Sequence, residues 1–588
     1  MLVRTIKPAL LAAALFIAGC AANSAYQQAQ LSTLLGGTPR PDTAEGYSAF
    51  LVARFAALTN DPRRALEGYE RALSAEPEKP ELAERAVFAA LMAGTFEDAA
   101  RLARKVDTSD PETSALVRLT LAVDALREGR LSRAESVLST STGGAFDESV
   151  LTPIRAWVAF ERSGLEAGRN VLFAESERRD AARRADLYFL ALMHVADNDD
   201  AEALELLEAM WSRGPRLAVA AEIQARLLAN FGRSEDAVAV LSTFRREVGP
   251  NPAIDQLRSQ IERGERIEID RPNLSRGAAL ALYTPAAALA SQTESDFPGV
   301  LFAMALALDG DMDIARTLWA KALDGVGRRR EAIAILEEIA PASPFYATAR
   351  GQLAWAYRRE GEGGAALAVA SQAVDATADR DLMVQMGDLL TTLERDGEAD
   401  QVFTRVIDRD RAASYADWRL YLARGAARER LGRWPEAEAD LREAMRLSPD
   451  NASIMNHLGY SLVDRGVRLD EGLRLISRAV DLRPRSGMIL DSLGWAYFKL
   501  GDFDRAVVHL ERAVELEPGD PVINDHLGDA YWRTGRRLEA RFQWRRALTL
   551  EPEPGSVSTL HTKLQYGLDG AVADTSAVEE DLFHRAQP

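Results

Sequence analysis

Apolar residues follow a helical period through most of the chain. In the clearest stretch, Leu493 and Tyr497 stand four residues apart, and Ala506, Leu510 and Ala513 follow at spacings of four and three. These spacings place the apolar side chains on one face of each of two consecutive helices. The pattern therefore predicts an all-α protein in which amphipathic helices occur in pairs.

A small residue recurs about every 34 positions, where the two helices of a pair must approach closely. A fixed period in this range is typical of a solenoid of stacked helical hairpins. A proline such as Pro518, which lacks a backbone N–H, ends the second helix of the pair. The small residues are Ala65, Ala99, Ala134, Ala203, Ala237, Ala332, Ala366, Ala399, Ala437, Gly472, Ala506 and Ala540.

Three consecutive copies share a skeleton of Leu-Gly, Tyr or Leu, a small residue and Pro, beginning at Leu458, Leu493 and Leu527. The period and the skeleton resemble those of the tetratricopeptide-repeat family. The resemblance implies an α-solenoid, a superhelix of about fourteen helical hairpins closed by a C-terminal capping helix. The fourteen anchors of the first helices are Val52, Ala86, Leu121, Ala156, Leu190, Gln224, Pro285, Trp319, Leu353, Met386, Arg424, Leu458, Leu493 and Leu527.

One long step in the repeat period divides the chain. Residues 47–246 are predicted to form an N-terminal block of degenerate repeats, and residues 278–553 a C-terminal block. Residues 247–277 form an irregular insert with a Gly-Pro-Asn-Pro turn, a short helical stretch and an alternating apolar and charged piece. Pro285 lies inside an expected helix. Residues 554–588 are predicted to contain the capping helix and a disordered tail.

The N-terminus has the layout of a targeting segment. Arg4 and Lys7 form a basic start, and residues 9–17 form an apolar core that is too short to span a membrane. Residues 1–19 are therefore predicted to be a signal peptide.

The last residues of this segment, Ile-Ala-Gly followed by Cys20, resemble the cleavage box of bacterial lipoproteins. In that family the cysteine is lipidated and becomes the first residue of the mature protein. Cys20 is the single cysteine of the chain, which favours this interpretation and excludes an intramolecular disulfide. The alternatives are an ordinary signal peptide cleaved after Ala18 or Ala22, or a cytoplasmic helix.

Residue 21 is alanine rather than the aspartate that tends to retain lipoproteins in the inner membrane. The resemblance therefore implies a lipid anchor in the outer membrane, with the protein facing the periplasm. Residues 20–46 are rich in Gln, Ser, Thr, Gly and Pro and are predicted to be a flexible tether.

The charge of the chain excludes some partners. It has 71 Lys and Arg against 89 Asp and Glu, a formal net charge of −18. Nucleic acid and anionic lipid are therefore not expected as main ligands.

No motif indicates catalysis, a cofactor or a metal. The acidic stretch from Asp309 to Asp313 resembles the start of a calcium loop, but Ile314 stands where that loop requires glycine. His457 and His526 occupy the same slot in two repeats, which common descent of the repeats explains better than a metal site. Because repeats fill the chain almost to its end, a non-enzymatic protein is expected.

The candidate binding residues follow from the family resemblance, since the first helix of each hairpin lines the concave face in that family. Exposed aromatic residues flanked by charges indicate a peptide-binding surface; the alternative is that Trp495, Phe498 and Trp532 pack between repeats or against the capping helix. The Lys of the family's carboxylate clamp is missing, so a neutral or basic segment fits better. The candidates are Asn456, Tyr460, Asp464, Asp491, Trp495, Phe498, Lys499, Asp525, Asp529, Trp532 and Arg533.

The leading hypothesis is a lipid-anchored scaffold that binds envelope proteins or peptides involved in outer-membrane assembly, export or wall remodelling. Residues 458–548 resemble long repeat-containing lipoproteins of Gram-negative bacteria, which implies an envelope role without naming a partner. The alternative is a glycan-binding module for peptidoglycan or exopolysaccharide, with aromatic side chains stacked on sugar rings. Self-association stays open.

Overall fold

The structure is a computed structural model that describes residues 42–106, 114–139, 146–174, 180–211, 217–290 and 297–568. The predictions for Cys20, the signal segment, most of the tether and the tail from residue 569 lie outside these residues. The described part contains thirty α-helices and no strand. It divides into two compact units, one ending at Ala378 and one beginning at Asp379.

The first unit contains nineteen of the described helices, and a π-helical turn, Asp147–Leu151, precedes α7. The helices are α1 (Ala44–Leu58), α2 (Pro62–Ala75), α3 (Pro80–Met92), α4 (Phe96–Ala103), α5 (Ala115–Arg127), α6 (Leu131–Leu138), α7 (Thr152–Ser163), α8 (Leu165–Leu172), α9 (Asp180–Ala196), α10 (Asp200–Trp211), α11 (Ala218–Asn230), α12 (Ser234–Glu247), α13 (Pro252–Glu262), α14 (Leu274–Ala290), α15 (Phe297–Leu308), α16 (Asp313–Gly325), α17 (Arg329–Glu337), α18 (Tyr346–Arg359) and α19 (Gly363–Thr377).

The second unit contains eleven described helices, of which the last, α30, follows the final hairpin. They are α20 (Arg380–Thr392), α21 (Asp396–Ala412), α22 (Trp418–Arg430), α23 (Trp434–Leu447), α24 (Ala452–Asp464), α25 (Leu469–Leu482), α26 (Gly487–Lys499), α27 (Phe503–Leu516), α28 (Pro521–Arg533), α29 (Arg537–Thr549) and α30 (Pro554–Tyr566).

The predicted fold class is confirmed: each of the fourteen anchors lies in the first helix of a hairpin. Even Pro285 lies within the continuous helix α14. Local chemistry defines the helix ends. The Asn451 side chain, for example, accepts hydrogen bonds from the backbone N–H groups of Ser453 and Ile454 at the start of α24. Glycines in the left-handed conformation, such as Gly501 at φ +80°, turn the chain between the two helices.

Arg424 shows how a degenerate anchor is accommodated. It replaces the usual leucine and is buried, and its Nε and Nη2 donate to the two carboxylate oxygens of Asp440 at 2.8 and 2.7 Å. A bidentate pair of this kind satisfies both charges inside the hairpin.

The insert between residues 247 and 277 contains α13, which packs on α11 and α12. The alternating segment of the insert then lies alongside α11. Arg226 of this helix donates to the carbonyl of Glu268, and Asn230 donates to that of Ile267, both at 2.9 Å. Ile267 is buried against this helix. The alternation therefore corresponds to an extended segment with one apolar side facing the core.

The first unit closes on itself in a way that the repeat pattern did not predict. Helices α14 and α15, the seventh hairpin, pack against α3, α5 and α7, which are the first helices of the second, third and fourth hairpins. A Cβ at Gly277 would lie 2.2 Å from the Trp157 ring, so glycine permits this close approach. Trp319 similarly lies against Gly94 and Gly299.

Polar contacts reinforce this closure. Arg328 Nη2 donates to the carbonyl of Met92 at 2.5 Å, and Arg271 Nη1 donates to that of Val195 at 2.5 Å. Because α15 covers its second face, α5 is buried from residue 115 to residue 126 without interruption. The inner surface of the early hairpins is therefore occupied by the chain itself.

The second unit is connected mainly from each hairpin to its neighbour. Several pairs of arginine and carboxylate join adjacent hairpins, which explains the abundance of arginine, since its planar fork binds a carboxylate at two points. These pairs are Arg430 with Asp396 at 2.7 Å, Arg442 with Glu471 at 3.0 Å, Arg465 with Glu429 at 3.3 Å and Arg536 with Glu511 at 2.9 Å. Over the described residues, no helix combines the length and the apolar character that crossing a bilayer requires.

Candidate interaction surface of the second unit

The predicted binding residues all lie on three consecutive first helices. Because these helices repeat every 34 or 35 residues, equivalent positions become neighbours. Trp495 Nε1, for instance, donates to Asp464 Oδ1 of the preceding first helix at 3.2 Å, and Lys499 Nζ donates to the Asp464 carbonyl at 3.1 Å. Helix α24 carries Asn456, Tyr460 and Asp464; α26 carries Asp491, Trp495, Phe498 and Lys499; α28 carries Asp525, Asp529, Trp532 and Arg533.

Trp495 is the centre of an aromatic stack. Its ring centroid lies 4.8 Å from that of Phe498 and 4.1 Å from that of His526, with nearly parallel planes in both cases. Phe503 meets Phe498 edge-on at 5.3 Å. The indole, which stays half-buried, is thus held in one orientation by two stacked rings and by its bond to Asp464.

His526 links this stack to Asp491. Its Nδ1 lies 2.9 and 3.0 Å from the two carboxylate oxygens, and both side chains are buried. Burial alone lowers the pKa of His526, but the carboxylates of Asp491, Asp525 and Asp529 outweigh burial and raise the pKa above its ordinary value. His526 therefore binds a proton more readily in the folded protein than an ordinary histidine does.

The two aspartates of α28 share one lysine of the capping helix. Lys563 of α30 donates to Asp525 at 2.8 and 2.9 Å and to Asp529 at 2.9 Å, while Trp544 Nε1 donates to the other oxygen of Asp529 at 2.9 Å. Burial raises the pKa of Asp529 to about 6, Lys563 opposes that rise and Asp525 adds to it. Neither aspartate is left for a ligand without displacing the lysine.

Trp532 also lies at the capped end. Its ring centroid is 5.4 Å from that of Trp544, and a Cβ at Gly567 would lie 2.1 Å from Trp532 Cζ2. Gly567 directly follows α30, so the end of the capping helix rests on this indole. The geometry at Trp532 is that of a packing contact, whereas Arg533 beside it is exposed.

The predicted residues therefore differ in how accessible they are. Asp525, Asp529 and Trp532 contact the capping helix or the residue after it, Arg533 is exposed beside them, and Asp491 pairs with His526. The remaining six form what we call the open surface: Asn456, Tyr460, Asp464, Trp495, Phe498 and Lys499.

Asn456 is the polar group of the open surface that lacks a partner. Its Oδ1 is shielded from solvent and receives no hydrogen bond, which is costly for an amide oxygen. Burial, with Asp464, Asp491 and Glu429 nearby, raises the pKa of Tyr460 above its ordinary range. The surface thus offers the half-buried aromatic side chains of Tyr460, Trp495 and Phe498 and the exposed pair Asp464 and Lys499.

Sequence reasoning missed Glu429 of α22, which borders this surface. His457 Nε2 lies 2.9 Å from its Oε2, and Ser461 donates to the same oxygen at 3.1 Å. The repeated histidine slot was the available signal, since His457 and His526 each reach a carboxylate on the preceding first helix.

Comparisons with known proteins agree with the repeat pattern. Residues 356–553 match the family model described as tetratricopeptide repeat. A TPR repeat-containing protein of Pseudomonas aeruginosa is 39% identical over 85 residues, and this match spans 14% of the chain and 14% of that protein. The hairpins of this region are therefore tetratricopeptide repeats, a class that generally serves as a protein-interaction scaffold.

Solved structures with similar helical arrangements include the APC/C hetero-tetramer Cut9-Hcn1, at 16% identity, covering 87% of this chain and 99% of that chain with a TM-score of 0.36. A tetratricopeptide repeat protein from Parabacteroides merdae matches at 16% identity, 42% and 94% coverage and a TM-score of 0.37. MamA matches at 23% identity, 28% and 94% coverage and a TM-score of 0.24.

Proposed function

We propose that the protein is a non-enzymatic scaffold, anchored by lipid on Cys20 at the periplasmic face of the outer membrane, that binds envelope proteins through the open surface. The stacked side chains of Trp495 and Phe498, half-buried beside the exposed pair Asp464 and Lys499, carry the proposal. A partner segment would lie across these residues. The aromatic edges of Tyr460 and Trp495 would contribute apolar contact to the same segment.

Neutral or basic partner segments fit this surface. Glu429 and Asp464 carry negative charge at its border, and Asp464 is exposed beside Lys499. A ligand that brings a positive charge can pair with Asp464 without leaving a buried charge unmatched. An acidic segment would meet the carboxylates first.

The open surface is tested by affinity capture from cross-linked envelopes. Trp495→Ala combined with Lys499→Ala should remove a defined set of envelope proteins from the capture. The matched control is Val508→Ala, a side chain that is 63% exposed on a second helix, and it should leave the set unchanged. If both variants capture the same proteins as the native chain, the open surface is not the binding site.

The anchor is tested separately. Cys20→Ser should release the protein from the membrane fraction or leave it as unprocessed precursor, because a lipoprotein signal requires that thiol. Unchanged membrane attachment of the variant would refute lipidation at this residue.

Glycan binding is the competing function, and the geometry of Trp495 weighs against it. The indole already stacks on Phe498 and His526, so a sugar ring would have to displace one of them. Purified wall material free of protein should therefore not sediment the chain; clear co-sedimentation would favour the glycan hypothesis over the scaffold.

A further inference from the structure

Helix α29, the second helix of the last hairpin, is basic in an acidic chain. The whole chain has a formal net charge of −18, whereas α29 contains four arginines and one acidic residue. Arg537, Arg541 and Arg545 stand four residues apart, which places them in one line along the helix. All three side chains are exposed.

Two exposed apolar side chains border this line. Leu538 is 82% exposed and Phe542 is 57% exposed. The opposite side of the helix carries the buried Ala540, Trp544 and Ala547, which pack in the hairpin. We call the exposed side the arginine face of α29: Arg537, Leu538, Arg541, Phe542 and Arg545.

The arginines of this face have no carboxylate partner among the described residues. The acidic residue of the helix, Glu539, pairs with Arg536 instead. The guanidinium groups of Arg537 and Arg541 lie over the Trp532 ring, 5.1 and 5.9 Å from its centroid. Stacking on an aromatic ring orients a guanidinium and leaves its in-plane N–H groups available for a carboxylate.

The preceding hairpin shows what this side of a second helix contacts. Val507 and Glu511 of α27 hold the positions of the last two arginines of the face, 34 residues earlier. Val507 is buried, and Glu511 accepts hydrogen bonds from Tyr531 and Arg536 of the following hairpin at 2.7 and 2.9 Å. In α27, this side therefore packs on the next hairpin.

Helix α23 provides a closer parallel, because it carries an arginine at the same position. Arg442 lies 18 residues after the anchor of its hairpin, as Arg545 does. It donates to both carboxylate oxygens of Glu471 at 3.0 and 3.2 Å. Since Glu471 belongs to α25, an arginine at this position binds a carboxylate of the second helix that lies alongside.

At α29, the described residues supply only one further helix. Lys563 of α30 pairs with Asp525 and Asp529 of α28, so α30 contacts the array as a first helix does. We infer that the arginine face of α29 binds an acidic amphipathic helix of a partner protein, in the place where α25 lies beside α23.

The arginine face defines the chemistry of that helix. Its arginines are spaced by about 6 Å along α29, which is also the spacing of side chains four residues apart on a partner helix. Glutamate or aspartate at such positions would meet Arg541 and Arg545 together, each through the two-point contact that a guanidinium makes with a carboxylate. Apolar side chains beside them would cover Leu538 and Phe542.

A bilayer of anionic lipid fits this face less well. Glu551 and Glu553 follow α29 directly and are exposed, so a flat anionic surface would bring its phosphates near them as well as near the arginines. The net charge of the chain adds to that repulsion. A single helix can contact the arginines and avoid these carboxylates.

Peptide binding to the full-length chain tests the inference. The probe is a fluorescent peptide of about 20 residues, long enough to form an isolated helix, with glutamates four residues apart on the same face as leucines. A control peptide has the same composition, with its glutamates scattered around the helix. Fluorescence anisotropy should show at least tenfold tighter binding of the probe, and equal affinities would overturn the inference.

Charge reversal locates the binding site. Arg541→Glu with Arg545→Glu should weaken probe binding at least tenfold and reduce its dependence on salt. The matched control, Arg474→Glu with Arg478→Glu, reverses two exposed arginines that also stand four residues apart on a second helix, and it should leave the affinity within twofold. Equal weakening by both variants would show that binding follows net charge alone and would overturn the inference.

Two further variants separate binding from folding. If charge reversal lowers the urea midpoint, Arg541→Gln with Arg545→Gln should keep the native midpoint and still weaken binding severalfold. Leu538→Ser with Phe542→Ser should weaken binding severalfold while the salt dependence stays that of the native chain. Native affinity in both of these variants would contradict the arginine face as the site.

Other occupants give different outcomes. If vesicles of phosphatidylethanolamine and phosphatidylglycerol sediment the Cys20→Ser chain, but not its charge-reversed form, and the probe is not preferred, the face binds lipid and the inference is wrong. Dimers in sedimentation velocity that charge reversal dissociates would assign the face to a second copy. Trp495→Ala with Lys499→Ala alters only the open surface and should leave probe binding unchanged, so the inference and the proposed function can fail separately.

Discussion

The first and second units are both built from helical hairpins, but the contacts that join the hairpins differ between them. In the first unit, one continuous apolar core runs from Ala49 to Leu353, because α14 and α15 pack into the earlier hairpins. In the second unit, the buried residues form several separate small clusters, each shared by neighbouring hairpins. Ion pairs between adjacent hairpins supplement these clusters.

The difference shows that a repeat sequence does not by itself define whether a hairpin contacts only its neighbours or also distant hairpins. Nearest-neighbour contacts make stability a sum over repeats, which describes the second unit. A hairpin that fills the inner surface of earlier hairpins couples distant repeats, which describes the first unit.

The largest expected effect comes from shortening a buried side chain in the hairpin that closes the first unit. Phe302 of α15 is fully buried, so Phe302→Ala should cost about 3–5 kcal/mol of unfolding free energy. Urea unfolding followed by hydrogen exchange should show the loss in α3, α5 and α7, with the second unit unchanged. Phe231→Ala, at a side chain that is 50% exposed, is the control; a loss confined to α14 and α15 would mean that the units do not differ as described.

An intermediate effect is expected from overpacking one hairpin of the second unit. Ala506 is fully buried at the crossing of α26 and α27, so Ala506→Trp should destabilise by roughly 1–3 kcal/mol or more. Because contacts there are local, the change in exchange should stay within the hairpins that adjoin α27. Val508→Trp places the same side chain on the exposed side and should leave the urea midpoint nearly unchanged. A native midpoint for Ala506→Trp would show that the assigned register is wrong.

The smallest effect expected is a pH dependence at the capped end of the second unit. The pKa of Asp529 is raised to about 6 and that of His526 is raised above its ordinary value. A raised pKa means that the folded state binds the proton more tightly, so stability falls as pH rises through the folded pKa. Between pH 5 and pH 8, the second unit should lose about 1–2 kcal/mol of unfolding free energy.

The control for this dependence is the double variant Asp529→Asn and His526→Gln, which keeps similar side-chain volumes but does not titrate in this range. Its urea midpoint should vary less with pH than that of the native chain. A native midpoint that rises from pH 5 to pH 8 would contradict the assigned directions.

Sequence reasoning predicted the hairpins because their determinants are local. Leu493, Gly494 and Ala506 specify one hairpin through contacts within it. The same residue pattern recurs 34 residues later in the next hairpin. The closure of the first unit could not be read from the period, since it joins α15 to helices some 200 residues earlier. The composition of α15 was the signal: a helix without one polar residue must be buried on all sides.

The candidate surface was predicted in part for the same reason. Register placed Trp495, Phe498 and Asp464 on adjacent first helices, and the structure brings these three together. Lys563 lies in the capping helix, outside the repeat register. No pattern in the sequence therefore indicated that it pairs with Asp525 and Asp529. The proposed role of the open surface stays a prediction until the capture experiment is done.

The closure of the first unit has a consequence for the synthesis of the chain. Once α3 has left the ribosome, about 200 residues must still be added before α15 follows, which takes roughly 10–40 s at ordinary translation rates. During that interval, the apolar inner faces of α3, α5 and α7 have no partner. Each hairpin of the second unit, in contrast, finds its neighbour as soon as the next 34 residues emerge. The N-terminal half is therefore where a holding chaperone would be needed most.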